Sequence, residues 1–325
     1  MGSRQAPQLK KYQWLDPAAI GRDILQQLIP GYWQPAMRWV AGCLNDEEAY
    51  WIRLAECLNG VKGQDILGRK KGEKWMEEGE MDRGIWATWY DLPEEGKEEY
   101  IAWLHDVHLP KALLRPGYLW AAHVENIWDE ARKETLAKRL NHTDDPSVPT
   151  GNAYLVLYGA ASPHVFLKPR PAQLEANWTA EERDMFGKRI GVRSYIFLET
   201  DRLDGPEVNI RPPNEAPGPV VQIGSFNLTK ELDEETAMDM YAKIRLPYMA
   251  KMTGSVATRK LVSVYGWARH AALYEFASVD ALEKNFVGQR ERQANWKHWK
   301  KHLTNNLIHS PGSPSLGRRI WPPAS

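Results

Sequence analysis

The sequence predicts an α+β chain made of two βαββαβ units preceded by a helical N-terminal extension, and three observations carry that prediction. A ten-residue motif occurs twice: His108-Leu-Pro-Lys-Ala-Leu-Leu-Arg-Pro-Gly117 returns as Arg245-Leu-Pro-Tyr-Met-Ala-Lys-Met-Thr-Gly254, with Leu, Pro and Gly in register at an offset of 137. Apolar residues keep helical spacing up to residue 83 and switch to strand-like patterning from Gly84. The stretch 204–219, with Asp204-Gly-Pro-Glu and Pro212-Pro-Asn-Glu-Ala-Pro-Gly-Pro219, is dense in turn residues and separates the two units as a linker.

In chain order, residues 1–83 form the helical extension. Leu25, Leu28 and Ile29 precede Pro30, Met37, Val40, Cys43 and Leu44 follow, and Asp46-Glu-Glu-Ala opens a helix that Gly60 ends. Lys70 to Asp82 reads as a charged, solvated connector. The first unit, 84–203, begins with a strand from Ile85 to Leu92 that carries aromatics on both parities, as suits a sheet covered on both faces. Pro93-Glu-Glu opens a helix whose buried stripe is Tyr100, Trp103, Leu104 and Val107. Strands follow at 118–125, 153–158 and 192–199, with a polar helical insertion near 128–140 and a capping-box helix from Thr179. The second unit, 220–325, has strands at 220–228, 256–265 and 268–276, helices at 233–252 and 279–287, and a tail that supplies an edge strand near 318–321. Its second hairpin turns at Gly266, where the first unit has the insertion.

Composition narrows the function. The 42 Lys and Arg balance 42 Asp and Glu, so no net field favours nucleic acid or an anionic membrane. Cys43 and Cys57 cannot staple a chain of 325 residues, and the N-terminus has no apolar signal segment, so a cytoplasmic protein is expected. No run approaches a membrane span. Nucleotide-binding glycine loops, the serine-hydrolase elbow and paired zinc cysteines are all missing from the sequence. A small-molecule ligand is the expected partner. The fifteen tryptophans suit an aromatic one, and an exposed sheet edge or the extension offers a homodimer contact.

At the duplicated motif the chain resembles the dimeric α/β-barrel superfamily in its fused, tandem form, and the helix ending in His-Leu-Pro resembles the EthD-like branch. The resemblance implies two ferredoxin-like repeats whose sheets close face to face. It also implies a small-molecule pocket, within a superfamily that holds both cofactor-free enzymes and haem enzymes.

Against that background His108 is the first catalytic candidate, lying about 80° from the centre of the apolar stripe, at its edge. Its ordinary pKa suits general acid/base work, and its competing role is to hydrogen-bond a helix-end carbonyl. Arg245 holds the equivalent place in the second unit and suits a carboxylate or oxyanion; its competing role is an ion pair with Asp233-Glu-Glu. His105 shares a helix with His108 but points away from the stripe at about 140°, and no third ligand makes the pair a metal site. Trp86, Tyr90, Trp103, Trp120 and Tyr158 are candidates to line the pocket, and His123, His270 and Glu275 to tune a base in it. His270 is also a possible axial haem ligand. His298 and His302 lie among lysines and read as a basic surface. The expected activity is cofactor-independent isomerisation, cyclisation or elimination on an aromatic or polyketide-like molecule by His108, with Arg245 facing it. A haem dehydratase or oxidoreductase and a non-catalytic hydrophobic-ligand carrier are the alternatives.

Overall fold

Eight antiparallel strands close into a barrel in the computed structural model, which describes residues 81–212, 214–287 and 302–323. These all belong to the second of two compact units, Met1–Trp75 and Met76–Ser325. The helical extension up to residue 80, both cysteines and His298 lie outside the described residues.

The first half contributes β1 (Gly84–Asp91), a helix α1 (97–113), β2 (Tyr118–Asn126), α2 (Glu130–Arg139), the two-residue β3 (Asn141–His142) and β4 (Tyr154–Ala160). After it come α3 (Pro171–Ala176), α4 (Ala180–Gly187) and β5 (Ile190–Asp204). The second half contributes β6 (Val220–Leu228), α5 (234–250), β7 (Ser255–Tyr265), β8 (His270–Phe276), α6 (279–287), β9 (Leu307–His309) and β10 (Ser315–Trp321). Around the barrel the order is β2-β4-β1-β5-β7-β8-β6-β10, and β10 returns to β2. The tail is therefore no edge strand: Arg318 pairs with Glu125 on one side and Val220 on the other, so β10 is the stave that seals the barrel. Closure removes the open edge that a homodimer contact there would need. Among the described residues no helix is long and apolar enough to cross a membrane.

Strand alternation sorts the core into three layers. Ile85, Ala87 and Trp89 of β1, with Trp120, Ala122 and Val124 of β2, point into the barrel. Tyr90, Ala121, Tyr154, Val156 and Tyr158 point outward and are covered by Tyr100, Trp103, Leu104 and Phe186 of α1 and α4. Phe226, Ala272 and Tyr274 are covered by Met240, Tyr241 and Met249 of α5.

The duplicated motif has the same local physics in both copies. Pro110 and Pro247 lack an N–H, and each ring would strike the carbonyl four residues back in a regular helix. A wider π-turn precedes each proline, Leu104–His108 and Tyr241–Arg245, and accommodates it. Gly117 and Gly254 then turn the chain with φ of 86° and 84°, the left-handed region that glycine supplies without strain. The π-turn also corrects the predicted stripe. One extra residue in the turn rotates the positions after it, so Val107 is 45% exposed and His108 takes its buried place at 6%.

At the seam between β5 and β7 lies a buried cluster of three acids and three arginines, Asp82, Glu199 and Glu275 with Arg202, Arg211 and Arg259. Asp82, expected in a solvated connector, is fully buried. Its carboxylate takes Arg202 at 2.7 Å, Arg211 and Arg259 at 2.8 Å each, and the Trp120 indole at 2.7 Å. Burial alone would raise this carboxyl, but the guanidiniums outweigh it and hold it well below the usual carboxylate range. Neutralising a partner in such a cluster strands buried charge. Asp82→Asn is therefore expected to cost about 3–5 kcal/mol of stability, read as a lower urea midpoint.

Candidate functional site

His108 enters the first helix–sheet layer because the π-turn of α1 aims it at β4. Its Nε2 lies 3.1 Å from the Tyr158 hydroxyl, and its ring stacks on Trp103 at 5.4 Å and meets the Phe186 edge at 4.8 Å. The helix-end carbonyl contact is thus not what this imidazole makes through Nε2. Its Nδ1 and the neighbouring Trp103 Nε1 are buried without a hydrogen-bond partner among the described residues. Burial, with the Arg189 and Arg115 charges adding to it, lowers the His108 pKa to about 3, so the ring is neutral at ordinary pH.

Beside it runs a chain of three rings. The Tyr90 hydroxyl is 2.9 Å from His123 Nε2, and His123 Nδ1 is 2.8 Å from His105 Nε2. Burial pushes the Tyr90 hydroxyl well above its ordinary value and His123 well below its own, and it lowers His105 as well. A protonated Tyr90 donates to His123 Nε2, which leaves the other His123 nitrogen to donate to His105. The hydrogen bonds then run in one direction, from a sealed tyrosine to a half-buried histidine. The sequence placed His105 away from the stripe; the π-turn brings it against β2 instead.

A cation packed among the rings of this layer is Arg189, which the sequence does not single out. It follows α4, donates from Nε to the Tyr100 hydroxyl at 2.5 Å, and lies 4.3 Å over the Tyr90 ring and 4.4 Å over Phe186. A lone Arg in Gly187-Lys-Arg-Ile190 carries no spacing signal that distinguishes it from a surface residue.

Arg245 sits in the other helix–sheet layer, where its Nε donates to Tyr274 at 3.1 Å and its guanidinium lies over that ring. It does not face His108, because each motif copy packs on its own half of the sheet, with the barrel wall between. The Glu234 carboxylate pairs with Arg269. This second layer also holds Lys260, again missed. Its Nζ donates to the Leu261 carbonyl at 2.8 Å and to His270 Nδ1 at 3.3 Å, among the rings of Phe226 and Tyr241. Burial lowers Lys260 to about 7 and His270 to about 3. His270 Nε2 lies 3.5 Å from Glu234. With its Nδ1 turned to the buried Lys260 amine, the ring lacks the carboxylate or carbonyl partner that orients an imidazole toward a metal, and His270 does not fit an axial haem ligand.

Two further candidates lie elsewhere than expected. Trp120 points into the barrel and holds Asp82, and the Gly159 position opposite must be small, since a Cβ there would lie 2.0 Å from the indole. Glu275 is in the ion cluster, where it pairs with Arg211 and Arg259 and accepts from Gly218 N, so it does not share a site with His270. Trp86, Tyr90, Trp103, His123 and Tyr158 do gather in the first layer with His105 and His108. No three His, Cys, Asp or Glu among the described residues converge on a metal-binding geometry.

No family model matches this chain, and no curated protein matches it. Solved structures it is similar to include an anthrone oxidase-like protein, 11% identical, covering 73% of this chain and 90% of that one at a TM-score of 0.47. A heme-binding protein from Thermus thermophilus is 12% identical over 73% and 90% at 0.39. A mutant chlorite dismutase from Candidatus Nitrospira defluvii is 11% identical over 75% and 95% at 0.39. Likenesses at this level assign no activity to the chain.

The buried imidazoles make stability pH-dependent. His108 and His270 titrate near 3, His309 near 4, and His123 well below the ordinary 6.5. Below about pH 6.5 the unfolded chain binds protons that the folded chain refuses, so stability falls with falling pH until the folded values are reached. Each histidine contributes a slope of about 1.4 kcal/mol per pH unit. Urea titrations between about pH 6 and pH 4.5 should show this slope. His108→Phe should reduce it by one histidine's share.

Proposed function

We propose that the chain is a fused dimeric α/β barrel of two ferredoxin-like repeats, 84–203 and 220–325, joined by the linker 204–219. We further propose that its first helix–sheet layer is a cofactor-independent acid/base site for a small aromatic or polyketide-like molecule. The strand order supports the architecture: with the short β3 and β9 left out, the four barrel strands of each half, numbered in sequence, run four-one-three-two across the sheet. The duplicated His-Leu-Pro and Arg-Leu-Pro helix ends support the EthD-like branch.

The observation that carries the chemical reading is the pair of buried, unpartnered polar atoms, His108 Nδ1 and Trp103 Nε1, side by side in a layer otherwise walled by aromatic rings. Buried polar groups of this kind are costly unless something bonds them; both atoms are closed to solvent under α1 and α4, so a ligand oxygen or acidic C–H meets them once that cover opens. With the Nε2 proton donated to Tyr158, Nδ1 presents a lone pair and accepts a proton from a carbon next to a carbonyl. The electron pair moves to the carbonyl oxygen, and Arg189 stabilises the resulting enolate. Because burial disfavours the imidazolium, the proton is returned promptly to another atom of the same molecule, which favours isomerisation or cyclisation over net proton release. The Tyr90–His123–His105 chain offers a path by which a proton reaches the half-buried edge.

Native mass spectrometry of the protein from its own host, searched for a co-purified small molecule, identifies the compound to assay. On it, His108→Gln is expected to lower kcat by about a hundredfold or more with an unchanged fold, and Arg189→Met to raise KM and lower kcat together. The acid limb of kcat/KM should lie near pH 3 and not near 6.5. Full turnover in His108→Gln would end this reading.

A further inference from the structure

The insertion between β2 and β4 has no counterpart between β7 and β8, and it crosses from the first half of the chain to the second. Its strand β3 lies parallel to β9, with Asn141 opposite Ile308 and His142 opposite His309, while β9 pairs on its other side with β6. Two residues are fewer than an ordinary strand has, so single hydrogen bonds reinforce this clip. Thr143 N donates to the His309 carbonyl at 2.9 Å and Asn141 Nδ2 to the Asn305 carbonyl at 3.0 Å. His142 Nε2 donates to the Ser313 carbonyl at 2.6 Å, and His309 Nδ1 to the Asn141 carbonyl at 3.3 Å. A cavity of about 610 Å³ is lined from both sides of the clip, by Leu140, His142 and Thr143 of the insertion and by Pro311, Gly312 and Ser313 of the tail.

The two imidazoles lie side by side with ring centroids 5.7 Å apart. Each spends the proton of its neutral form on a carbonyl, so a second proton goes to the far nitrogen and makes the ring a cation. Two cations at that separation repel, and His309 is also buried, which further disfavours its charged form. The groups that face the pair do not relieve it. Across the Phe226 ring from His309 are the Lys260 amine of β7 and the His270 ring of β8, both cationic when protonated. Asp91, which lines the same cavity as His142, is taken by the N–H groups of Asn152 and Ala153, and Asp145 by that of Ser147. Asp144 is exposed. Burial, with the His142 charge adding to it, lowers His309 to about 4, whereas an imidazole released to water titrates near 6.5. The closed clip therefore refuses a proton that the open one accepts, and closure weakens as the pH falls from about 6.5 toward 4.

We propose that β3 and β9 form an acid-released latch: protonation of His309 beside His142 frees the insertion from the tail and opens the cavity between them. The barrel keeps its staves meanwhile, because β10 joins β2 to β6 without help from β9. Neither histidine belongs to the His108 layer, so the latch is independent of the acid/base reading of that layer.

The test follows backbone amide exchange of the full chain by NMR, with intrinsic exchange rates divided out. Thr143, whose amide bonds His309, is the reporter, and Ala87, inside the β1 ladder, is the barrel control. Between pH 7 and pH 5 the protection of Thr143 should fall by about twentyfold, the share of one histidine with these two pKa values. Ala87 should stay at least about tenfold better protected than Thr143 at both pH values, as local opening requires. His309→Asn puts an amide N–H where the Nδ1–H was and removes the titrating group, so the fall should shrink to about threefold or less. If that variant does not fold, His142→Gln, which removes the facing charge and keeps a donor for Ser313, should reduce the fall by about twofold or more. Equal Thr143 protection at pH 7 and pH 5 overturns the proposal. So does a fall as large in His309→Asn, or in His142→Gln where that variant stands in, as in wild type, or an Ala87 amide no better protected than Thr143.

Discussion

The carboxylate of Asp82 is the point on which the barrel's seam depends. It lies two residues before β1 starts, yet it receives guanidiniums from β5, from the 204–219 stretch and from β7, and the indole of Trp120 from β2. With Glu199 and Glu275 added, three negative and three positive charges are buried together, and each has a partner of the other sign. Desolvating this many charges is favourable only when the set is complete, so the cluster works as an all-or-none lock on the β5–β7 junction. The opposite junction is closed by different means. There β10 supplies backbone hydrogen bonds to β2 and β6 at once.

With both junctions closed, the barrel interior is filled by side chains, and any chemistry has to sit outside it, under the helices. The π-turns then decide which residues are presented there. Each arises where a proline follows within a helix, and each rotates one residue inward that a regular helix would turn out. In the first half that residue is His108, and in the second it is Arg245, each hydrogen-bonded to a tyrosine of its own half, Tyr158 on β4 or Tyr274 on β8. The same backbone device therefore places a neutral base in one layer and a permanent cation in the other.

The two layers differ in a second matched pair. His123 on β2 bonds Tyr90 and His105, while Lys260, 137 residues later on β7, bonds His270. Both are buried groups whose charged forms are disfavoured, but the first layer links rings into a directed chain and the second holds an amine against a ring. The two halves share a strand order but not a chemistry, and the insertion between β2 and β4 occurs in one half alone.

Much of the fold could be read from residue order. The βαββαβ order, the capping box at Thr179 and Glu182, the Asp233 cap and the positive-φ glycines of the motif are set by neighbours a few positions apart, and local patterning reports such interactions directly. Gathering of Trp86, Tyr90, Trp103 and Tyr158 on one layer was also legible, because strand parity and helix periodicity are short-range. The facts that escaped were of long range. Arg189 reaches Tyr100 across 89 residues, Lys260 is buried by rings from three elements, Asp82 meets Arg259 over 177 residues, and Trp128 and Asn152 share a cavity only after the loop before β10 folds over them. Sequence order specified which element forms and where it stops. Which side chains meet, and which polar atoms are buried without a partner among the described residues, was decided only when the barrel closed, because charge pairing and desolvation depend on distance in space and not on separation along the chain.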